Sequence, residues 1–372
     1  MIFGLSTNNQ KKELPLNLEV MGFIIIQDKI RKEARKTLKY FKEQGVDIKI
    51  ISGDNPITVS NIAKRAGVEN YQNYIDVSTL KTTEDIEKAA IKYKVFGRVL
   101  PKQKKELILA LKKTGKTVAM TGDGVNDVLA LKEADCSIVV ASGSDAARSV
   151  AQIILLDSNF ASMPEVVAEG RRTINNIERS STLFLAKTIY STIIAFLFLF
   201  ITQPYPFIPI QLTLINMVTI GIPSFILALE PNKEKVTGTF LDTVLKRALP
   251  SGLTVIINIL LIGILSSFLG LSKEQYSTIC VVVTGIIGFI LLKHISTPFN
   301  WFRGILFLLM STMFAILIVE FKSLLSLMKI SLNLLIIIGI MSIISTVIFY
   351  FLEYMLKKLL EKNEIKININ VD

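Results

Sequence analysis

The segment 120–127 reads Met-Thr-Gly-Asp-Gly-Val-Asn-Asp and places two carboxylates, Asp123 and Asp127, around two glycines and an asparagine. It follows an apolar run at 117–120 that predicts a short strand. Carboxylates that directly follow a strand lie at the carboxyl edge of a sheet, where open α/β folds bind ligands. This set suits Mg²⁺, which takes one or two carboxylates together with waters and phosphate oxygens. The same residues could instead form an ordinary surface turn.

Strand and helix patterns alternate through the first half of the chain. They predict strands at 20–26, 47–51, 95–97, up to Met120 and at 136–140, and helices at 30–44, 56–66, 101–113 and 128–133. This alternation favours a parallel sheet with helices on both faces.

A second polar turn, Ser52-Gly53-Asp54, ends another of these strands. A hydroxyl and backbone N–H groups at a helix start can hold an anion, although Ser, Asp and Asn are also ordinary helix caps. Lys104, on the helix between the two turns, could reach the same edge and neutralise phosphate, or it could be a solvated lysine within the run 102–105.

The second half of the chain is much more apolar than the first, which explains 51% hydrophobic residues and a mean hydropathy of +0.50 over 372 residues. About 20 apolar residues are needed to cross a bilayer as a helix. Six segments qualify, which predicts three membrane hairpins at 183–202, 208–229, 248–271, 276–293, 304–320 and 331–352.

Basic residues in the short links orient these hairpins. The links on the same side as the soluble part, together with the C-terminal tail, contain Lys233, Lys235, Lys246, Arg247, Lys293, Arg303, Lys357, Lys358, Lys362 and Lys366. The links on the opposite side contain fewer basic residues, namely Lys273, Lys322 and Lys329. We therefore expect a cytoplasmic soluble part and C-terminus. This asymmetry accounts for part of the net charge of +11, so nucleic-acid binding is not inferred from it, and Cys136 and Cys280 suggest no disulfide framework.

Five segments, in order, resemble motifs of the P-type ATPases, the cation pumps that form an aspartyl-phosphate. Residues 121–127 resemble their hinge motif. The others are similar to DPxR at 28–31, TGDNP at 52–56, VFARVxPxQK at 95–104 and ILLDDNF at 154–160. The resemblance implies a haloacid-dehalogenase-like phosphorylation domain, an incomplete Rossmann-like parallel sheet, followed by a bundle of six transmembrane spans. It also implies a bacterial plasma membrane, with ATP and Mg²⁺ as cofactors.

The resemblance also assigns roles to individual residues. Asp123 would bind the catalytic Mg²⁺ with support from Asp127. The phosphoryl group would be contacted by Lys104, Ser52 and Gly53, and the residues near the nucleotide and hinge would be Asp54, Asp28, Arg98 and Asn126. This agrees with the chemistry of phosphoryl transfer, which relies on positioning and on charge neutralisation.

The DKTGT motif that carries the phosphorylated aspartate in the family does not occur in this sequence. We therefore expect the C-terminal portion of a pump: a phosphorylation domain at 1–160 without its nucleophile strand, a stalk at 161–182, the spans at 183–352 and a tail at 353–372. Such a chain would not form a phosphoenzyme alone, and a separately encoded N-terminal half is a candidate partner. The alternatives are a non-catalytic relic or subunit with a Mg²⁺ and phosphate site, and a membrane-tethered phosphatase.

The resemblance places the transported ion at the sixth span of the family, at 208–229 here. Asn216, Thr219 and the sequence Gly221-Ile222-Pro223 match a partly unwound helix whose freed carbonyls could ligate a cation, although they could also make ordinary helix contacts. Ile220 stands where calcium pumps carry an aspartate. We expect at most one divalent ion, Ca²⁺ first and Mg²⁺ second. Lys187, in the preceding span, is either functional or extends to the interface.

Overall fold

The computed structural model describes residues 2–5, 19–24 and 29–369, with side chains for 20–24 and 29–359. Contacts divide the chain into two compact units, Met1–Val166 and Val167–Asp372. The first unit holds the strands and short helices, and the second holds the long apolar helices. The two units are treated separately below.

The first unit begins with an antiparallel pair, β1 (Ile2–Leu5) and β2 (Glu19–Phe23). The remaining elements alternate as the sequence predicts: α1 (Ala34–Glu43), β3 (Ile50–Ile51), α2 (Pro56–Ala66), β4 (Tyr74–Asp76), α3 (Thr83–Lys92), β5 (Val95–Gly97), α4 (Pro101–Lys113), β6 (Ala119–Thr121), α5 (Val128–Glu133), β7 (Cys136–Val140), α6 (Asp145–Arg148) and β8 (Ile153–Leu155).

The parallel strands form two sheets in the described residues, where the sequence predicts one. Their orders are β3-β5-β4 and β6-β7-β8, and every pairing within them is parallel. Among the described strands, β3 and β6 each have one partner. Both sheets pack on one hydrophobic core, which includes Phe96 of the first sheet and Met120 of the second.

Three local predictions need correction. The predicted strand at 20–26 pairs antiparallel with β1 and stays outside the parallel sheets. The helix expected from residue 30 begins at Ala34, and the strand expected from residue 47 is confined to Ile50–Ile51. β4, α3 and β8 were not predicted. β8 lies in the stretch 154–160, which the resemblance read only as the approach to the stalk.

In the second unit, as the described residues show it, six helical segments are long and apolar enough to span a membrane. They comprise α7 (Met163–Leu197), α8 (Pro209–Asn216) continued by a π-helical turn (Met217–Gly221) and α9 (Ile222–Ala228), α10 (Phe240–Leu269), α11 (Lys273–Ile295), α12 (Trp301–Glu320) and α13 (Leu332–Ile369). In the most apolar window of α11, 72% of the residues are buried, so it is the central helix of this bundle. The corresponding share is 28% for α7, α12 and α13, whose exposed apolar rows suit a lipid environment.

The span at 208–229, which resembles the sixth span of the family, was expected to be partly unwound. It is instead continuously helical, because the break at Gly221-Ile222-Pro223 is absorbed by the π-turn Met217–Gly221. A π-turn shifts the hydrogen-bond pattern by one residue without exposing a run of carbonyls, and such turns are frequent at functional sites.

Candidate functional site

Lys104 and Asp127 form a shielded ion pair at the carboxyl edge of the second sheet. The ammonium Nζ lies 2.6 Å from Asp127 Oδ1, and each side chain is 11% exposed. Asp127 closes a single 3₁₀ turn directly after β6, and its second oxygen, Oδ2, accepts a hydrogen bond from the Gly124 N–H at 3.3 Å. From the sequence alone, Lys104 could either reach the phosphate edge or be a solvated lysine. The structure places it in the shielded pair.

Gly122 allows Asp127 to turn back against the strand end. A Cβ built on Gly122 would lie 2.7 Å from Asp127 Cβ and Cγ, closer than real contacts allow. Asp123, between these residues, has an exposed side chain, while its backbone carbonyl accepts from Ser144 N–H at 2.8 Å. Asn126 is also exposed. The edge therefore presents an exposed carboxylate whose backbone is held by the Ser144 N–H.

The turn after β3 forms a second polar group. Ser52 Oγ bonds to Asp54 Oδ2 at 3.2 Å, and the Asp54 N–H donates to Ser52 Oγ at 3.2 Å. Asn55 caps α2 by accepting from the Ile57 N–H at 3.0 Å. Gly53 has open space, because a Cβ there would meet only the Val99 carbonyl at 4.0 Å. The turn thus presents a hydroxyl and backbone N–H groups at a helix start.

Arg98 fastens this turn to its neighbours. Its N–H donates to the Asp54 carbonyl at 2.8 Å, and its guanidinium lies 2.7 Å from Asp76 Oδ2. Its φ of 52° is left-handed, a strained backbone typical of functional sites. Hydrogen bonds from Ser78, joined by the nearby charge of Arg98, hold the pKa of Asp76 below its usual range. The sequence motifs do not point to Asp76, because it lies outside them.

Helix α4 connects the two polar groups. The Val99 N–H, just before α4, donates to the Ser52 carbonyl at 3.0 Å, and Lys104 stands in the first turns of the same helix. In the described part of the chain, no side-chain hydrogen bond joins the Ser52–Asp54 turn directly to Asp123 or Asp127. The common anchor is α4, which is bonded to the first turn and reaches the second through Lys104.

Two further motifs meet at another point of this unit. Arg31 donates to the Ser158 carbonyl at 2.8 Å and to Asn159 Oδ1 at 3.4 Å, which joins the segments 28–31 and 154–160. Asp28 lies outside the described residues, so its assigned role stays a prediction.

The membrane unit holds a small cavity of about 20 Å³ between α7, the π-turn, α10 and α11. Its polar lining consists of hydroxyls and one amine: Thr219, Tyr190, Ser251, Thr284 and Lys187. Tyr190 Oη is buried without a hydrogen-bond partner among the described residues, and no sequence motif marks this residue. The cavity has room for one water-sized group.

Asn216 and Thr219 stand on either side of the start of the π-turn. Thr219 is 2% exposed and its Oγ1 donates to the Ile215 carbonyl at 2.7 Å. Asn216 Oδ1 is a buried oxygen without a hydrogen-bond partner in the described structure. Asn216 is not among the residues that line the cavity. The structure therefore brings one of the two predicted residues, Thr219, to the cavity and leaves the other with an unsatisfied acceptor nearby in the chain.

Comparisons with known proteins identify the fold of the first unit and the family to which the chain is related. A family model described as haloacid dehalogenase-like hydrolase matches residues 5–135. The chain is 42% identical over 307 residues to the "Probable cation-transporting ATPase exp7" of Streptococcus pneumoniae, which covers 80% of this chain. It is 41% identical over 305 residues to the "Calcium-transporting ATPase CtpE" of Mycolicibacterium smegmatis, covering 77%. The chain is a P-type ATPase homologue.

More distant P-type relatives match a shorter part. "Calcium-transporting ATPase 3, endoplasmic reticulum-type" of Arabidopsis thaliana is 33% identical over 217 residues. The matched region is 39% of the pneumococcal protein and 38% of the CtpE protein, so the chain spans about two fifths of the length of these relatives. The family resemblance, the haloacid dehalogenase-like domain and a multi-pass membrane protein are confirmed.

The carboxyl edge of this P-type homologue has carboxylates that a magnesium ion could use. Within the described residues, no group of 3 or more His, Cys, Asp and Glu side chains converges as a protein cage would require. Mg²⁺ does not need one, since it binds through one or two carboxylates and takes its other ligands from water and phosphate. The exposed Asp123 supplies such a carboxylate, and Asp127 stands beside it with one oxygen committed to Lys104.

Proposed function

We propose that this chain is the phosphorylation-domain and membrane part of an ATP-driven cation pump. The observation that carries the proposal is the carboxyl edge of the second sheet, where the Lys104–Asp127 pair at 2.6 Å stands next to the exposed Asp123. Charge of both signs is thereby held in fixed positions at a strand end. Phosphoryl transfer depends on this kind of preorganised electrostatic environment more than on covalent help from the protein.

In this proposal, different residues of the chain bind the phosphoryl group and neutralise its charge. Ser52 and the N–H groups of its turn hold phosphoryl oxygens at the start of α2. Lys104 balances their negative charge, and its bond to Asp127 fixes where its ammonium stands. A bound Mg²⁺ would supply neutralisation of the phosphate charge, with Asp123 and Asp127 as its protein ligands. The nucleophilic carboxylate would come from a segment outside these 372 residues, either elsewhere in a longer protein or on a separately encoded half.

The two sheets support insertion of such a segment. β3 and β6, which carry the two polar turns, each pair on one edge only in the described structure. The chain before β6 lies close to the chain before β3, because Lys116 Nζ is 3.7 Å from Asp47 Oδ2. A parallel strand placed between them would satisfy both open edges and would bring its carboxyl end to Ser52 and Asp123. Open strand edges of this kind are otherwise a liability.

The transported cation would bind beside the π-turn. An unpaired buried oxygen such as Asn216 Oδ1 is costly unless something binds it, and a cation supplies that partner. The hydroxyls of Thr219 and Tyr190 at the cavity could add ligands. We put Ca²⁺ first and Mg²⁺ second, and three of the close relatives carry the name "Calcium-transporting ATPase CtpE". Binding from the cytoplasmic side of a bacterial plasma membrane is part of this proposal.

Ion-stimulated ATP hydrolysis and calcium uptake by inverted membrane vesicles that contain the chain test this function. Asn216→Ala and Thr219→Ala should each raise the calcium concentration for half-maximal stimulation by about tenfold, the effect of one lost charge-assisted contact. Thr188→Ala is the matched control, since Thr188 is an exposed residue on α7 whose hydroxyl donates to a carbonyl of its own helix. Unchanged calcium dependence in both test variants would place the ion elsewhere.

A further inference from the structure

We infer that the first unit, Met1–Val166, carries a second anion-binding site that binds a compact multivalent phosphate group. It is a cleft of about 420 Å³ between α1, the turn after α2, and the residues that precede β3 and β5. Cavities of about 300–1,000 Å³ are typical of small-molecule sites. This site is independent of the proposed pump function.

The lining of the cleft has more positive than negative charge. Its basic residues are Arg35, Lys39, Lys42 and Lys94, and its acidic residues are Asp47 and Glu69. Glu69 is engaged one-to-one by Lys42. Lys39 lies 3.8 Å from an exposed carboxylate, Glu43, on its own helix. Pairs of that kind contribute little in water, and the four basic and two acidic lining residues leave an excess of two positive charges in the cleft.

Asp47 is shared by three lysines. Lys94 contacts its Oδ1, and Lys116 and Lys49 lie 3.7 and 3.9 Å from its Oδ2. One carboxylate cannot neutralise three ammonium groups. Burial, followed by the charge of Lys116, lowers the pKa of both Lys49 and Lys94. A bound anion would add the missing negative charge and relieve this repulsion.

The cluster lies at the opposite edge of the sheets from the phosphoryl residues. Lys49, Lys94 and Lys116 come just before β3, β5 and β6, whereas Ser52 and Asp123 come just after β3 and β6. Strands of two or three residues separate the two edges by roughly 7–10 Å. The anion in the cleft is therefore distinct from a phosphoryl group at the carboxyl edge.

A phosphate group fits this arrangement because several ammonium groups and a guanidinium can share its oxygens. The group could belong to a soluble phosphate compound or to the headgroup of an anionic lipid. Inorganic pyrophosphate is a suitable probe, since it presents the shared chemistry without either carrier.

Equilibrium dialysis of radiolabelled pyrophosphate against the full chain tests the site, in an uncharged detergent with EDTA to exclude Mg²⁺-dependent binding. The double variant Lys94→Gln/Lys116→Gln should weaken binding by at least about tenfold, as expected for lost charge-assisted bonds. Lys39→Glu is a second variant and should weaken pyrophosphate binding similarly. The Lys39 side chain is 77% exposed, so this substitution should not disturb folding.

Two controls separate this site from other causes. Lys105→Gln/Lys113→Gln removes the same charge from the pairs with Glu133 and Glu87 and should change affinity less than about twofold. Equal losses in the control double variant, or no saturable binding to the native chain, would overturn the inference.

The source of the phosphate follows from the same binding in lipid nanodiscs. If lipid headgroups occupy the cleft, the part of pyrophosphate binding that depends on Lys94 and Lys116 will disappear in phosphatidylglycerol discs and persist in phosphatidylcholine discs. Persistence in both assigns the cleft to a soluble phosphate compound.

Discussion

Glu230 is the anchor of a buried charge cluster in the membrane unit, and removing its charge should destabilise that unit strongly. Its carboxylate is 9% exposed and lies 2.8 Å from Arg179 and 2.9 Å from Arg303. Asn300 donates to the same carboxylate at 2.7 Å. Burial raises the pKa of Glu230, but the hydrogen bonds from Arg303, Asn300 and Arg179 outweigh it, so the pKa lies below its ordinary value.

Glu230→Gln would leave two arginines without their countercharge, with side chains only 6% and 5% exposed. Loss of one partner from a buried ion pair costs about 3–5 kcal/mol. In a body of about 150–250 residues, each kcal/mol shifts the melting temperature by about 2–4 °C. We therefore expect a decrease of about 6–20 °C.

The assay is thermal exposure of Cys280 in detergent, followed with a thiol-reactive fluorophore. Cys280 is fully buried, so it reacts only when the bundle opens, and Cys136→Ser in the background removes the signal of the soluble unit. Glu320→Gln is the matched control, because Glu320 is an exposed acid at the end of α12. A melting temperature for Glu230→Gln within about 2 °C of this control would refute the reasoning, because it would correspond to about 1 kcal/mol or less.

The same cluster predicts a pH dependence with a definite sign. The pKa of Glu230 is lower in the folded chain than its ordinary 4.5, so its stabilisation is fully present above that value. It is lost as the pH falls through the folded pKa. The difference in melting temperature between the native chain and Glu230→Gln should therefore shrink only below about pH 4.5. A difference that already shrinks between pH 7 and 6 would assign the effect to another group.

Two further predictions concern glycines that allow close approach. Gly122→Ala would place a Cβ 2.7 Å from the Asp127 side chain and should reduce the rate of Mg²⁺-dependent phosphorylation by at least about tenfold. Gly124→Ala is the control, because its Cβ would meet Asp127 at an ordinary 3.6 Å, and it should have a smaller effect. Equal phosphorylation rates in the two variants would contradict this prediction. Gly288→Ala would place a Cβ 2.8 Å from Thr219 Cγ2 and should weaken the calcium stimulation of ATP hydrolysis, and unaltered stimulation would argue against a cation at the cavity.

The sequence predicted those parts of the fold that depend on local pattern. The apolar runs of the membrane helices and the polar turns after β3 and β6 are visible from hydropathy and from Gly and Asp spacing. The element ends were less accurate because α1 begins only at Ala34, after charged residues that fit a helix equally well. The antiparallel pairing of β2 with β1 could not be inferred, since strand partners depend on contacts distant in sequence.

The candidate site was predicted in its motif residues and missed in its partners. Lys104 was one charge in a basic run, and only the fold shows that it faces Asp127. Asp76 and Tyr190 carry no local signal, because each acquires its position from a neighbour far along the chain. The π-turn at Met217–Gly221 was mistaken for an unwound segment, since a Gly-x-Pro sequence is compatible with either.

Phosphorylation by γ-labelled ATP tests the central claim most directly. Membranes that contain the chain would be labelled, resolved on an acid gel and probed with an antibody to residues 357–372. We expect a Mg²⁺-dependent, alkali-labile phosphate either on an antibody-reactive band heavier than the 41.5 kDa of this chain or on a separate band that co-precipitates with this chain. Asp123→Asn should abolish the label, and Asp145→Asn, at an exposed acid of the same unit, should leave it. Unchanged labelling in Asp123→Asn, or the absence of any labelled band that the antibody recognises or co-precipitates, would contradict the account.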